Sequence, residues 1–195
     1  MKKINCSKTE LNDKVVEKLG PFLETPTLRL QDIDLSRNSI SDLGIKTLSM
    51  CLRLNTSLKC IHLEGNNIKS EGCLALSDYL SSNTTLQELN LSGNRINNEG
   101  IAYLSQMLLT NRSLQFLDIS RNQFNDQGFD VFAAGLEKNM GLEYLDVSKN
   151  KDISDEGSLI TLAESLSKNR SLRTLDLSGI RLRKPFLKSH LELAL

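Results

Sequence analysis

From Leu30 onward the apolar positions of this chain recur on a fixed grid. Leu30, Leu58, Leu86, Leu114 and Leu142 each open a copy of one pattern, at a constant interval of 28 residues. In each copy apolar residues stand at relative positions one, four and six, as in Leu58, Ile61 and Leu63. Positions four and six are separated by a single residue, which predicts a short strand with one face buried. An Asn follows at position nine (Asn38, Asn66, Asn94, Asn122, Asn150), able to bond backbone groups of the turn and end the strand. A further apolar residue comes next: Ile40, Ile68, Ile96, Phe124 or Ile153. Asp42, Ser70, Asn98, Asp126 and Asp155 then stand where a helix N-cap is expected. Two residues on is a glycine in every copy: Gly44, Gly72, Gly100, Gly128, Gly157. Glycine inside a helix costs about 1 kcal/mol relative to alanine, so its recurrence predicts close approach by the neighbouring repeat. Apolar residues at helical spacing complete the copy, as in Ile45-Leu48-Leu52 and Ile101-Leu104-Leu108. Asn55, Asn83, Asn111, Asn139 and Asn169 lie just past these helices and lead to the next strand.

The ends depart from the grid. Shifted by 29 residues, Ile4-Asn5-Cys6-Ser7 lies on Ile33-Asp34-Leu35-Ser36, so the N-terminus reads as a weak first repeat. Gly20-Pro21 and Pro26 punctuate the way into the first regular copy. The copy at Leu142 carries an extra residue between Asn150 and Ile153, and the next copy starts late, at Leu172. That last copy has Ile180 where Asn is expected, Pro185 at the start of a final helix, His190 on that helix, and an apolar tail at Leu191–Leu195. The expected organisation is one domain over 1–195. It divides into a degenerate repeat at 1–29, five regular repeats at 30–171, and a truncated repeat or cap at 172–195. A fixed period of this length is the mark of a solenoid, whose terminal units cap the stack.

The pattern Leu-x-x-Leu-x-Leu-x-x-Asn-x-Ile-x-x-x-Gly-x-x-x-Leu-x-x-x-Leu resembles the ribonuclease-inhibitor type of leucine-rich repeat, over about residues 28–182. The resemblance implies an α/β solenoid of about six to seven repeats, curved as a horseshoe arc. Parallel strands would line its concave face and helices its convex face. The same repeat type occurs in ribonuclease inhibitors, Ran GTPase-activating proteins, tropomodulin and other actin regulators, cytosolic immune receptors and bacterial effectors. Its members mostly bind proteins through the concave face and its rim. No catalytic motif of any subfamily is matched here.

Charge narrows the partner. The 24 basic and 24 acidic residues cancel, which argues against nucleic acid or an anionic membrane as the main partner. No run of 18 apolar residues is present, so no membrane span is expected. The start, Met1-Lys2-Lys3-Ile4, lacks the apolar core of a signal peptide. Cys6, Cys51, Cys60 and Cys73 share no paired spacing, and read as reduced thiols in the cytoplasm.

Candidate binding chemistry sits at strand positions three, five and seven, which point away from the core. Position five reads Asp34, His62, Asn90, Asp118, Asp146, Asp176; position three reads Asp32, Cys60, Glu88, Phe116, Tyr144, Thr174; position seven adds Glu64 among serines. Stacked repeats turn these into ladders with a predominantly acidic face, suited to a basic partner surface. Part of that acidity is unremarkable, because Leu-Asp-Leu-Ser is common in this repeat type. Phe116 and Tyr144 are the sharper signal, adjacent aromatics at an outward position where nothing structural needs a ring. His62 with Cys60 and Glu64 suggests metal ligands, but the flanking rungs Asp34 and Asn90 add no His or Cys, so no metal and no cofactor are expected. Position eight holds Arg37, Arg121 and Lys149, with Gly65, Gly93 and Gly179 between, and reads as solvated rim charge. The irregular loop Lys149-Asn150-Lys151-Asp152 is a departure of the kind that often carries function.

With no nucleophile–base or metal set, the expected role is a non-enzymatic module that binds a partner protein. Two alternatives are a regulator of an enzyme, such as a GTPase-activating protein or an enzyme inhibitor, and a structural docking subunit of a larger assembly.

Overall fold

The computed structural model describes residues 2–25 and 29–180. Pro26, Pro185, His190 and the Leu191–Leu195 tail lie outside the described residues. Within them, three-residue strands alternate with helices: β1 (Lys3–Asn5), α1 (Asp13–Leu23), β2 (Asp32–Asp34), α2 (Asp42–Cys51), β3 (Cys60–His62), α3 (Ser70–Ser82), β4 (Glu88–Asn90), α4 (Asn98–Leu108), β5 (Phe116–Asp118), α5 (Asp126–Lys138), β6 (Tyr144–Asp146), α6 (Glu156–Lys168) and β7 (Thr174–Asp176). The strands form one parallel sheet in chain order, and each helix packs on the next. This is the α/β leucine-rich repeat solenoid that the resemblance implies.

The grid of apolar positions explains this arrangement. The central residue of each regular strand is fully buried, as are the helix residues that face it: Ile61 with Leu76 and Leu80, or Leu89 with Ile101 and Leu104. One core runs from Leu11 to Ile180, and its widest side chains, Phe124, Phe129 and Phe132, fill the repeat around α5. The N-terminal repeat joins it in the predicted register, with Ile4 paired to Ile33.

Two ladders of asparagine hold adjacent repeats together. In the strand-end ladder, Asn66 Nδ2 donates to its own repeat at Leu63 O (3.0 Å) and to the preceding repeat at Leu35 O (3.0 Å). Its Oδ1 accepts from Ile40 N at 3.0 Å. Asn94 and Asn122 repeat the arrangement. The ladder past the helices works likewise: Asn111 Nδ2 donates to Leu80 O (2.8 Å) and Asn83 O (3.1 Å), while Oδ1 accepts from Leu114 N (2.9 Å). These amides satisfy backbone groups that buried loops would otherwise leave unpaired.

The N-cap expectation is corrected by one residue. Ser41, Asn97 and Asn125 cap their own helices, on Leu43 N (3.3 Å), Gly100 N (3.1 Å) and Gln127 N (3.1 Å). Asp42, Ser70, Asn98 and Asp126 stand just inside the first turn. Three of them reach forward to the next helix instead. Asp42 Oδ1 accepts from Lys69 N (2.7 Å) and Gly72 N (2.9 Å), Asn98 Oδ1 from Asn125 N (2.9 Å), and Asp126 Oδ1 from Ser154 N (2.8 Å) and Asp155 N (2.9 Å). Side-by-side helices place each N-terminus next to its neighbour's, so one acceptor serves the positive end of a second dipole. Asp155 occupies the N-cap of α6 but makes no side-chain capping bond.

Close approach accounts for the helical glycines. A Cβ on Gly128 would lie 2.7 Å from Asn98 Oδ1 and 3.1 Å from Asn98 Cα, and one on Gly72 would lie 2.6 Å from Asp42 Oδ1. Gly157 is the exception. It is exposed, and the buried Ser158 takes the packed place as third residue of α6, because the longer loop before the helix shifts the register.

Candidate functional site

The register of the sheet places every outward candidate on the strand face. Position three stacks Lys3, Asp32, Cys60, Glu88, Phe116, Tyr144 and Thr174, and position five stacks Asn5, Asp34, His62, Asn90, Asp118, Asp146 and Asp176. With the central residue of each strand turned inward, these two rows must line the opposite face.

Phe116 and Tyr144 meet as a parallel stack, with ring centroids 4.4 Å apart and planes 7° from parallel. Both are half-buried. Burial raises the Tyr144 hydroxyl pKa, and Asp146, Asp176 and Asp118 raise it further. The two rings thus form one flat apolar platform with Glu88 on one flank in the same row and Asp118 and Asp146 beside it.

The position-five acids have a scaffold duty. Asp34, Asp118, Asp146 and Asp176 accept through Oδ1 from the backbone N of Ser36 (3.0 Å), Ser120 (2.9 Å), Ser148 (2.8 Å) and Ser178 (2.8 Å). Asn90 makes the same turn on Ser92. The short acceptor side chain closes the strand end, which is why Asp and Asn fill six of the seven places here. Their protonation differs with depth. In Asp118, burial pushes the carboxyl up and outweighs the Ser120 bonds, and Asp146 adds to the rise. In Asp34, burial pushes up but is outweighed by the Ser36 bonds, His62 and Lys3, so the carboxyl lies below its usual value. The more exposed Asp176 is held low chiefly by Ser178.

His62 breaks the acid row and lies between two carboxylates, with Nε2 3.7 Å from Asp32 Oδ1 and Nδ1 3.8 Å from Glu88 Oε1. Asp32 also takes Lys3 Nζ at 2.9 Å. The Cys60 thiol beside them is pushed up to about 11, by burial first and then by Glu88 and Asp32, so it is a poor nucleophile at neutral pH. Glu64 is paired with Arg37, whose Nε lies at 2.9 Å.

The rim charge at position eight was legible in the sequence, but its backbone conformation was not. Position eight adopts the left-handed backbone in each repeat: Lys8 (φ 56°), Arg37 (54°), Gly65 (65°), Gly93 (63°), Arg121 (55°), Lys149 (58°) and Gly179 (76°). Residues with a Cβ are disfavoured there by about 1–2 kcal/mol. The alternation of glycine with Arg or Lys was the available signal. Arg37, Arg121 and Lys149 border a groove of about 560 Å³ that Glu64, Asp118, Asp146 and Asp176 also line. The face is therefore two-rowed, acidic along the strands and basic at the rim.

A family model described as leucine-rich repeat matches residues 30–49, 54–77, 82–105, 110–133 and 138–158, more than half of the chain. No curated protein matches. Among solved structures, the tropomodulin C-terminal domain from Caenorhabditis elegans superposes with a TM-score of 0.62 at 14% identity, covering 77% of this chain and 90% of its own. At that identity the likeness is one of fold. Leiomodin-1 actin-binding site 2 aligns over 100% of this chain and 80% of its own at 16% identity, with a TM-score of 0.49, too low to bear on function. No helix among the described residues is long and apolar enough to cross a membrane.

Proposed function

This chain belongs to the leucine-rich repeat family, and from that premise we propose that it is a non-catalytic module binding one partner protein on its concave strand face and rim. We read the repeats as the ribonuclease-inhibitor type, on their 28-residue interval and one helix per copy, and the chain as one domain. The free thiols of Cys6, Cys51, Cys60 and Cys73 favour a cytoplasmic setting.

The observation that carries this reading is the Phe116–Tyr144 stack. The scaffold needs neither ring, since the same row holds Asp32, Cys60, Glu88 and Thr174 without disturbing the sheet. A flat, rigid, half-exposed aromatic platform loses little side-chain entropy on binding, and such platforms anchor interfaces. Glu88, Asp118 and Asp146 beside it favour a basic partner side chain, whose cation would lie on the ring face within reach of a carboxylate. Asp34, Asp176, His62 and Glu64 extend the contact to either side.

The test is the double substitution Phe116→Ala plus Tyr144→Ala, read by cross-linked capture from a cell extract and by thermal melting. The partner recovered with the native chain should drop at least about tenfold, as expected for loss of two hot-spot residues, while melting stays near the native value. Undiminished capture by the folded double variant contradicts the proposal.

A further inference from the structure

We propose that the strand-to-helix edge of the last two regular repeats holds a second site, a cleft between Arg121, Lys149 and Lys151 that takes a phosphate-type oxyanion. The cleft measures about 540 Å³, with Gln123 and a single carboxylate, Asp152, in its lining. Three cations thus converge where one acid stands. None of the three cationic side chains makes a hydrogen bond or ion pair among the described residues, whereas Arg37, at the equivalent position, is held by Glu64. Lys149 does sense Asp176 across the adjoining groove, and an anion in the cleft would compete with that attraction.

Two features shape this edge. Arg121 and Lys149 sit in left-handed backbone at φ 55° and 58°, a conformation that Lys8 and Arg37 share and that three repeats fill with glycine. The second feature is the irregular loop of the fifth regular repeat. Its extra residue brings Lys151 into the same cleft.

The chemistry fits a phosphate monoester. It carries close to two negative charges and three acceptor oxygens. The Arg121 fork can bind two of those oxygens side by side, and Lys149 and Lys151 supply point charges. Its source is either a phosphorylated side chain of a partner or a free phosphorylated small molecule.

The full chain is titrated with inorganic phosphate and with a short phosphoserine peptide at constant ionic strength, followed by amide NMR shifts over residues 121–123 and 149–152. The decisive variant is Arg121→Gly plus Lys149→Gly. Glycine suits the left-handed backbone, so this variant keeps the fold while losing both charges. The native chain should bind phosphate at these amides, and the variant should bind it about tenfold more weakly or less, since charged hydrogen bonds are lost. Tighter binding of the peptide than of phosphate supports a partner's side chain as the source, and equal binding supports a small molecule. Phe116→Ala plus Tyr144→Ala should leave the phosphate titration unchanged. Absence of phosphate shifts at the cleft in the native chain, or equal affinity in the double-glycine variant, overturns the proposal.

Discussion

Asp118 shows how one residue serves scaffold and surface at once. Its Oδ1 closes the strand end on Ser120 N, a bond that Asn90 reproduces on Ser92. Its charge is the unfavourable part, because burial and then Asp146 raise its pKa. A carboxyl raised in the folded state stabilises while protonated and loses that advantage as pH rises through its folded value. Asp118→Asn keeps the acceptor and removes the charge. The variant should melt higher than the native chain at pH 7, with the gap closing below about pH 4, where the acid is protonated in both states. A lower melting temperature at pH 7 would show that the carboxylate is needed by the fold. If the buried charge is retained for binding, the same variant should also capture the partner less well.

At the scale of elements, adjacent repeats are joined by side-chain amides as well as by apolar contact. Asn94, 5% exposed, donates to Leu63 O and Leu91 O at 3.0 Å each and accepts from Ile68 N at 3.1 Å. Asn94→Ala strands the buried Ile68 N and takes one of two amide partners from each of Leu63 O and Leu91 O, so the loss should approach the upper end of about 1–3 kcal/mol in urea unfolding. Asn97→Ala, which removes only a cap, should cost about 1 kcal/mol. Comparable losses would mean that the ladder is not what couples the repeats.

Strand, helix and sheet order were legible because apolar spacing reports burial directly, and Ile4 fell on Ile33 as the 29-residue shift requires. What escaped were contacts between repeats. Asp42 and Asn98 look like caps of their own helices, yet bond to the next one, since spacing within a copy carries no information about which neighbour a side chain meets. Gly157 looked like its counterparts, while Ser158 took the packed place, because a loop insertion moves register without changing residue type. At the face, the adjacency of Phe116 and Tyr144 followed from the 28-residue interval, but their parallel stacking did not. The left-handed backbone under Arg121 and Lys149 was hidden because neither is a glycine.

Over the whole molecule, repetition supplies rigidity and departures from it supply chemistry. The interior is nearly uniform from repeat to repeat. The variable features gather on one side: the aromatic stack, the two-rowed groove and the basic cleft all lie on the strand face or its loop edge. The helix side offers scattered exposed apolar residues instead, such as Met50 in α2 at 65% exposure, with Met140 in the loop after α5 at 76%. Oxidative footprinting of the chain, free and bound to its captured partner, compares these surfaces within one sample. Oxidation of Phe116 and Tyr144 should fall several-fold on binding while Met50 and Met140 stay unchanged, as expected for a fully desolvated anchor on the strand face. Protection of Met50 and Met140 with Phe116 and Tyr144 unprotected would contradict it and place the partner on the helices.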